Sequence, residues 1–361
     1  MDTSKSSIVM DIDSGRILYK NNIDEKKLIA STTKIMTAVI ALEKGKLTDI
    51  YTAKDEILEM YGTSIYLEYN EKMSLNDLLY GLLLRSGNDA AVVIANNISK
   101  DEKAFVKLMN NKAKKIGMNN TTFSNSHGLD EVTKNYSTAY DMALLSRYAY
   151  KNFEAYRKIT KTKKYEAQTK NKSYLWINRN KLLNSYEYCT GGKNGYTPSA
   201  GRTLVTTAEK DNLRLTVVTL DDSNEYETHK NLYEYIYSKY KKYKIIDKNN
   251  FSINKEFFKD ELYLKDDFSY LLKNDELDKI KTIVKITKMK GYRNNSQVGV
   301  IDIYLSNKKI GKVKIYVKKN SWYYFLFVSL KKFILGGLNN LNPISGEAIP
   351  LDIYIFVLFT L

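Results

Sequence analysis

Hydrophobic periodicity changes twice along this 361-residue chain, and those two changes constrain its fold more than any other feature. Between Ser7 and Lys20, two short apolar runs flank the turn cluster Asp13-Ser14-Gly15-Arg16, which predicts a β-hairpin. Helical spacing then takes over, with Ile35, Met36, Val39, Ile40 and Leu42 recurring on one face of Ser31–Leu42. The same reasoning predicts helices over Leu75–Leu84, Asp89–Ile98, Lys103–Ile116 and Thr138–Asn152, with Gly117 as a C-cap for the third. Strands are predicted at Lys164–Gln168, Lys193–Tyr196, Thr203–Ala208 and Leu213–Leu220, and a closing helix over Tyr226–Tyr243. Strand, helices, strands and helix in that order specify a mixed α/β domain over residues 1–240, an antiparallel sheet packed on a helical cluster.

Past residue 245 the period falls to two. Thr282–Ile286, Val298–Tyr304 and Gly311–Val317 alternate in the manner of half-buried strands, so 245–320 reads as a small β-sandwich domain. From Ser321 the chain turns apolar and aromatic, in Trp322-Tyr323-Tyr324-Phe325-Leu326-Phe327-Val328 and then Lys331-Lys332-Phe333-Ile334-Leu335. That run is too short to span a bilayer, and its mixture of aromatics and lysines suits a helix lying in the membrane interface. The segment 321–361 is therefore expected to be an apolar tail that holds the chain at a membrane surface, with a strand or helix completing the β domain as the other reading; the last stretch, Ile353–Leu361, is also apolar and too short to cross.

Composition narrows the function. A single cysteine, Cys189, rules out a disulfide within the chain. Two histidines, His127 and His229, argue against a histidine-based metal site, and no metal or cofactor is expected. The net charge is +16, and residues 231–320 hold 21 Lys+Arg against 11 Asp+Glu. Such a surface attracts polyanions: nucleic acid, anionic lipid or anionic wall polymer. No nucleic-acid module accompanies the charge, so no nucleic-acid partner is expected. Met1-Asp2-Thr3-Ser4-Lys5 runs straight into the strand-like Ile8–Ile12 with no apolar leader between them.

Acyl transfer by a serine needs a base, an oxyanion hole and a group that returns a proton to the leaving amine. Neither histidine sits in a triad motif, so the base falls to a lysine. Ser31-Thr32-Thr33-Lys34 provides one, because residues three apart share a helix face. Taken alone, the pattern equally describes an N-cap serine in a lysine-rich chain. Ser86-Gly87-Asn88, between two helices, adds a proton relay in Ser86 and an amide in Asn88, or simply a helix-to-helix turn. Lys193-Asn194-Gly195 lies on a strand, where glycine admits a substrate to the strand edge and the lysine offers a cation to a carboxylate and to the pKa of Lys34.

These three elements, in this order, resemble the active-site set of penicillin-binding proteins and class A β-lactamases, Ser-x-x-Lys, Ser-x-Asn and Lys-Thr-Gly. The likeness extends through Ala30–Ala38, Leu84–Ala91, Ile116–Phe123, Ser126–Asp130 and Gly191–Gly201. Over residues 7–240 the chain resembles low-molecular-mass penicillin-binding proteins of the serine D-Ala-D-Ala carboxypeptidase family, and 245–320 fits that family's second domain. The resemblance implies a penicillin-binding-protein/β-lactamase-like fold and a set of roles. Ser31 attacks the carbonyl between the last two D-alanines of a peptidoglycan stem peptide, with Lys34 as general base. Ser86 and Lys193 move the proton to the departing D-alanine, and Asn88 contacts the substrate backbone. The N–H groups of Ser31 and Tyr196 form the oxyanion hole beside Gly195, and Lys193, Asn194 and Thr197 receive the terminal carboxylate. β-Lactams become covalent inhibitors on Ser31.

Asn194 departs from the family's threonine, which implies weaker carboxylate binding rather than lost chemistry. His127 is expected to be a hydrogen-bonding residue of its loop. A substrate outside the cytoplasmic membrane implies an extracytoplasmic enzyme at the membrane's outer face, so either Met1 is not the natural start or the chain is a processed form. Two other readings stand beside this one. A β-lactamase would need a Glu-x-x-Leu-Asn run after Asn88, which is missing, since Glu71–Asn76 precedes it with other spacing. A wall-binding or sporulation homologue with little or no activity would keep the fold alone.

Overall fold

The computed structural model describes residues 2–253, 260–287, 292–318 and 352–358. Most of the predicted tail, 319–351 and 359–361, including the expected interfacial helix at 322–335, lies outside the described residues. The chain divides into two compact units, Met1–Ser238 and Lys239–Leu361.

The first unit is built on a five-stranded antiparallel sheet. Its strands are β1 (Ser6–Asp11), β2 (Ile17–Asn21), β3 (Cys189–Thr197), β4 (Gly201–Lys210) and β5 (Leu213–Leu220), in the spatial order β2-β1-β5-β4-β3. β1 is buried on both faces, and β5 is too apart from the half-buried Arg214, because both faces are covered. On one side the helix α5 (Ala139–Asn152) touches the sheet, its Ser146 hydroxyl 2.8 Å from that of Thr216. On the other, the helix α7 (Glu225–Lys239) brings His229 Nδ1 and the Tyr233 hydroxyl to 2.7 and 2.8 Å from Thr206 Oγ1. The predicted closing helix stops short of Tyr243, and Lys241–Ile246 instead forms a strand of the second unit.

Between β2 and β3 the chain forms the helical cluster: α1 (Lys34–Lys44), α2 (Leu75–Tyr80), α3 (Asn88–Ile98), α4 (Glu102–Ile116), α5 and α6 (Glu154–Lys161). Local signals set their ends. The side chains of Ser74, Asp101 and Thr138 accept the N–H groups of Asp77, Ala104 and Asp141, satisfying first-turn donors. Gly117 closes α4 at φ +89°. The hairpin Lys164–Gln168 with Ser173–Ile177 stands apart from the main sheet, Tyr174 and Trp176 facing inward.

The second unit carries β6 (Lys241–Ile246), β7 (Glu261–Leu264), β8 (Phe268–Leu272), β9 (Ile280–Thr287), β10 (Gln297–Leu305), β11 (Lys308–Lys318) and β12 (Asp352–Leu358). β6 pairs with β8, and the remaining strands form a sheet in the order β7-β11-β10-β9-β12, with β12 parallel to β9. Tyr243, Leu272, Ile303 and Ile315 are among the buried residues of its core.

Candidate active site

Ser31 sits at a junction. Residues Ala30–Thr33 form a single 3₁₀ turn, and the α-helix predicted to begin at Ser31 begins at Lys34. Ala30 holds φ at +45°, a conformation that costs an alanine free energy and persists only where the surroundings enforce it. Two glycines supply that enforcement. A Cβ on Gly128 (φ +93°) would lie 2.0 Å from Ala30 O and 2.9 Å from Ser31 N, and a Cβ on Gly195 would lie 2.8 Å from Ser31 N. The 128 loop and the strand β3 therefore grip the Ser31 turn from two sides, each by bare backbone.

Lys34 points into this junction and is fully buried. Its Nζ lies 3.1 Å from Ser31 Oγ, 2.7 Å from Asn88 Oδ1 and 2.5 Å from the His127 carbonyl. Burial pulls its pKa from 10.5 down to about 7; nearby Asp89 opposes the shift and Arg179 adds to it. Lys193 is 1% exposed and held well below the ordinary lysine value, first by burial, then by Lys34 and Arg179. Its amine donates to the Asn194 carbonyl at 2.6 Å, with Asn194 Oδ1 at 3.5 Å.

Ser86 and Asn88 reach the site through a widened turn. After α2 the helix opens into five π-type residues, Gly81–Arg85, so that the Ser86 N–H bonds Gly81 O and Ser86 adopts φ +69°. An ordinary helix end was predicted here; the extra residue per turn and the left-handed serine are features that mark functional sites. Asn88 then begins α3. Its Nδ2 donates to Tyr61 O at 2.7 Å, leaving one amide hydrogen for a ligand.

β3 is the edge strand of its sheet, and alternation buries Lys193, Gly195 and Thr197 while Tyr196 stands 61% exposed. Thr197 departs from the expected role. Its hydroxyl donates to Asp130 Oδ2 at 2.6 Å and accepts from the Ala200 N–H at 3.0 Å. Its only hydrogen is thus committed to Asp130.

Several supporting residues escaped the sequence reading. Asn135 Nδ2 donates to Thr33 Oγ1 at 2.9 Å, and its Oδ1 accepts the Ser124 N–H at 2.6 Å. Asn125 Oδ1 accepts the Gly128 N–H at 2.7 Å, and Thr37 Oγ1 donates to Ser126 O. Glu102 accepts both the N–H and the hydroxyl of Ser126. Together they bolt the 124–135 loop to the Ser31 turn and aim the His127 carbonyl at Lys34. The His127 ring is a loop residue, as expected: its Nδ1 accepts the Leu129 N–H, and burial lowers its pKa to about 3, so it stays neutral. Arg179, whose Nη1 donates to Thr63 Oγ1 at 3.0 Å, adds a cation felt by both lysines. Only the Ser126–Asp130 run hinted at this loop; Asn135, Glu102 and Arg179 left no local signal.

An antiparallel sheet against a helical cluster, with a serine and two buried lysines where its edge strand meets a helix start, defines a penicillin-binding-protein fold. The computed fold is similar to penicillin-binding protein 5 from Haemophilus influenzae, with a TM-score of 0.73 at 25% identity over 89% of this chain and 98% of that one. It is also similar to a D-alanyl-D-alanine carboxypeptidase from Mycobacterium tuberculosis H37Rv, with a TM-score of 0.63 at 27% identity over 66% of this chain and 92% of that one. The D-alanyl-D-alanine carboxypeptidase family model matches residues 2–224, and that of the penicillin-binding protein 5 C-terminal domain matches 240–321. The chain belongs to the D-alanyl-D-alanine carboxypeptidase family. Among curated relatives it is 36% identical over 255 residues to the carboxypeptidase DacF of Bacillus subtilis and 37% over 229 residues to DacC of Escherichia coli. Those matches take in 68% and 60% of this chain and span 65% and 56% of the relatives' lengths.

Proposed function

We propose that this chain is a serine D-alanyl-D-alanine carboxypeptidase that removes the terminal D-alanine from peptidoglycan stem peptides outside the cytoplasm, and that β-lactams capture it at Ser31. One observation carries the reading: the fully buried Lys34 Nζ lies 3.1 Å from Ser31 Oγ, and burial brings its pKa down to about 7, so the neutral amine is available at that distance. In that neutral form two hydrogens go to the acceptors Asn88 Oδ1 and His127 O, and the nitrogen lone pair is left for the Ser31 hydroxyl. Ser31 Oγ gives its proton to that lone pair as it bonds the carbonyl carbon. The developing oxyanion is received by the N–H groups of Ser31 and Tyr196. Collapse breaks the C–N bond, and the D-alanine nitrogen takes a proton through Ser86 and Lys193. Water then attacks the ester and frees Ser31. The edge of β3 pairs with the extended peptide, and Lys193 with Asn194 meets its carboxylate.

The β-lactamase alternative lacks a support. Glu71 is an internal acceptor, taking hydrogen bonds from Tyr174 at 2.8 Å, Thr169 at 2.6 Å and the Glu68 N–H at 2.8 Å. Among the described residues no helix is long and apolar enough to cross a membrane.

The test is D-alanine release from a synthetic peptide ending Lys-D-Ala-D-Ala. Multiple turnover is expected, and one equivalent of penicillin should stop it. No release, or rapid repeated hydrolysis of a chromogenic cephalosporin, would sink the proposal. The same assay tests Asn194. Its Oδ1 leans toward the Lys193 amine and competes with a substrate carboxylate for it. Asn194→Thr is expected to lower KM about fivefold, the equivalent of one hydrogen bond of about 1 kcal/mol, with kcat little changed. An unchanged or raised KM would count against that role.

A further inference from the structure

Asp89 follows Asn88 in the first turn of α3, and the reaction as drawn gives it no part. Its carboxylate is buried and faces Tyr61–Leu67, a segment without helix or strand. Asp89 Oδ1 accepts the Ile65 N–H at 3.0 Å, and Oδ2 accepts the Leu67 N–H at 3.1 Å. Oδ1 also accepts the Ala90 N–H at 2.9 Å. One carboxylate thus ties two alternate amides of an irregular segment to the start of a helix, where negative charge is favoured. Bare backbone makes room for it. A Cβ on Gly87 would lie 2.9 Å from Asp89 Oδ1 and 3.0 Å from Ile65 Cγ2.

The tied segment in turn holds Asn88. Thr63 O accepts the Asn88 N–H at 2.8 Å, and Tyr61 O accepts from Asn88 Nδ2 at 2.7 Å. Between them, a Cβ on Gly62 (φ +76°) would lie 3.2 Å from Asn88 Nδ2. The bond to Tyr61 O orients the amide: with Nδ2 committed there, Oδ1 is turned to Lys34 Nζ at 2.7 Å. A segment free to drift would let the amide turn over and present a donor to the amine. We infer that Asp89 is a positioning residue for acylation: by clamping Ile65 and Leu67 it fixes the Asn88 amide that holds Lys34. The inference rests on the acylation of Ser31 proposed above. The clamp also carries a charge. Asp89 opposes the fall in the Lys34 pKa that burial causes, and Arg179 adds to that fall. The other titratable groups around the amine are Lys193, held low mainly by burial, and His127, which stays neutral.

The experiment compares the full chain with Asp89→Asn, by rates of fluorescent-penicillin labelling over a pH series. The carboxamide keeps one oxygen and turns the other into a donor, so the Ile65 or the Leu67 N–H loses its acceptor. At about pH 9, above the Lys34 step, acylation per folded molecule should fall about tenfold or more. The pH of half-maximal acylation should drop by about half a unit or more, because the protonated amine loses its stabilising anion. Ile65→Ala loosens the same segment and keeps the carboxylate. It should slow acylation and leave the midpoint at about 7. Amide exchange on the wild-type protein reads the clamp without any substitution: the Ile65 and Leu67 amides should be protected as strongly as those of α3. A midpoint unmoved or raised in Asp89→Asn would make the residue structural only and overturn the inference. So would a rate within about threefold of wild type, an equal midpoint shift in Ile65→Ala, or Ile65 and Leu67 amides that exchange like an open loop. Peptidase activity is read separately. A chain that is labelled by penicillin but releases no D-alanine refutes the peptidase reading, while rate, midpoint and amide exchange still judge Asp89.

Discussion

Lys34→Met is expected to leave a folded protein that acylates Ser31 with penicillin about 10³-fold more slowly, within the range for loss of a general base. The side chains are similar in length, so the helix and its packing survive while the lone pair facing Ser31 Oγ at 3.1 Å disappears. The pH dependence follows from the lysine's lowered pKa, about 7 in place of 10.5. Only the neutral amine accepts the serine proton. Wild-type acylation should therefore rise about tenfold per pH unit below 7 and level off above it, and the residual rate of Lys34→Met should lack that step. Stability moves in the same direction by linkage. Between pH 7 and 10.5 the unfolded chain binds a proton that the folded chain does not, so raising the pH across that window favours folding through this group. The burial penalty is full below pH 7 and gone above 10.5. Time courses of fluorescent-penicillin labelling over a pH series check all of this, with circular dichroism reporting the fold. A Lys34→Met rate within tenfold of wild type would remove Lys34 from the proposed role.

The parts of this site that are short-range in sequence were legible from it. Ser31 and Lys34 lie one helical turn apart, Ser86 and Asn88 two residues apart, and Lys193 to Gly195 are consecutive. The periods that place them at the starts of α1 and α3 and on β3 are local too. What the sequence hid is the set of contacts that hold the local pieces together. Asn135 reaches Thr33 across 102 positions, and the His127 carbonyl reaches Lys34 across 93. No period records such a pairing. The widened turn at Gly81–Arg85 looked like an ordinary helix end, because a π-type bulge changes the hydrogen-bond partner and not the residue types. The strand Ser173–Ile177 was missed for another reason. Tyr174 and Trp176 are buried and Leu175 and Ile177 exposed, so apolar residues occupy both faces and no alternation appears. Thr197 shows the same limit at the scale of one hydrogen: its position on β3 was readable, its commitment to Asp130 was not.

Gly128→Ala should then be far more damaging than an alanine ordinarily is. At φ +93° the substitution carries backbone strain, and the added Cβ would also meet Ala30 O at 2.0 Å and Ser31 N at 2.9 Å. Neither neighbour is a side chain that can swing aside; both belong to the peptide that joins Ala30 to Ser31. Relief requires the Ser31 turn or the 128 loop to move, and the loop also carries the His127 carbonyl that holds Lys34. A displacement near 1 Å of a positioned reactive group is worth about 10² in rate, so acylation should fall at least 100-fold. Stability should fall as well, by about 1–3 kcal/mol. Gly117→Ala separates the two effects. Its φ is +89°, nearly the same, but the new Cβ would meet nothing closer than Leu144 Cδ1 at 3.9 Å. It should lose stability on the order of 1 kcal/mol and keep its acylation rate. The comparison is made as an acylation rate constant per folded molecule at saturating penicillin, so that instability cannot pass for lost chemistry. If Gly128→Ala acylates like Gly117→Ala, close backbone packing does not set the position of Ser31. If it loses two orders of magnitude while Gly117→Ala loses none, the serine's reactivity depends on bare backbone pressing on the turn from a loop 97 residues away in sequence.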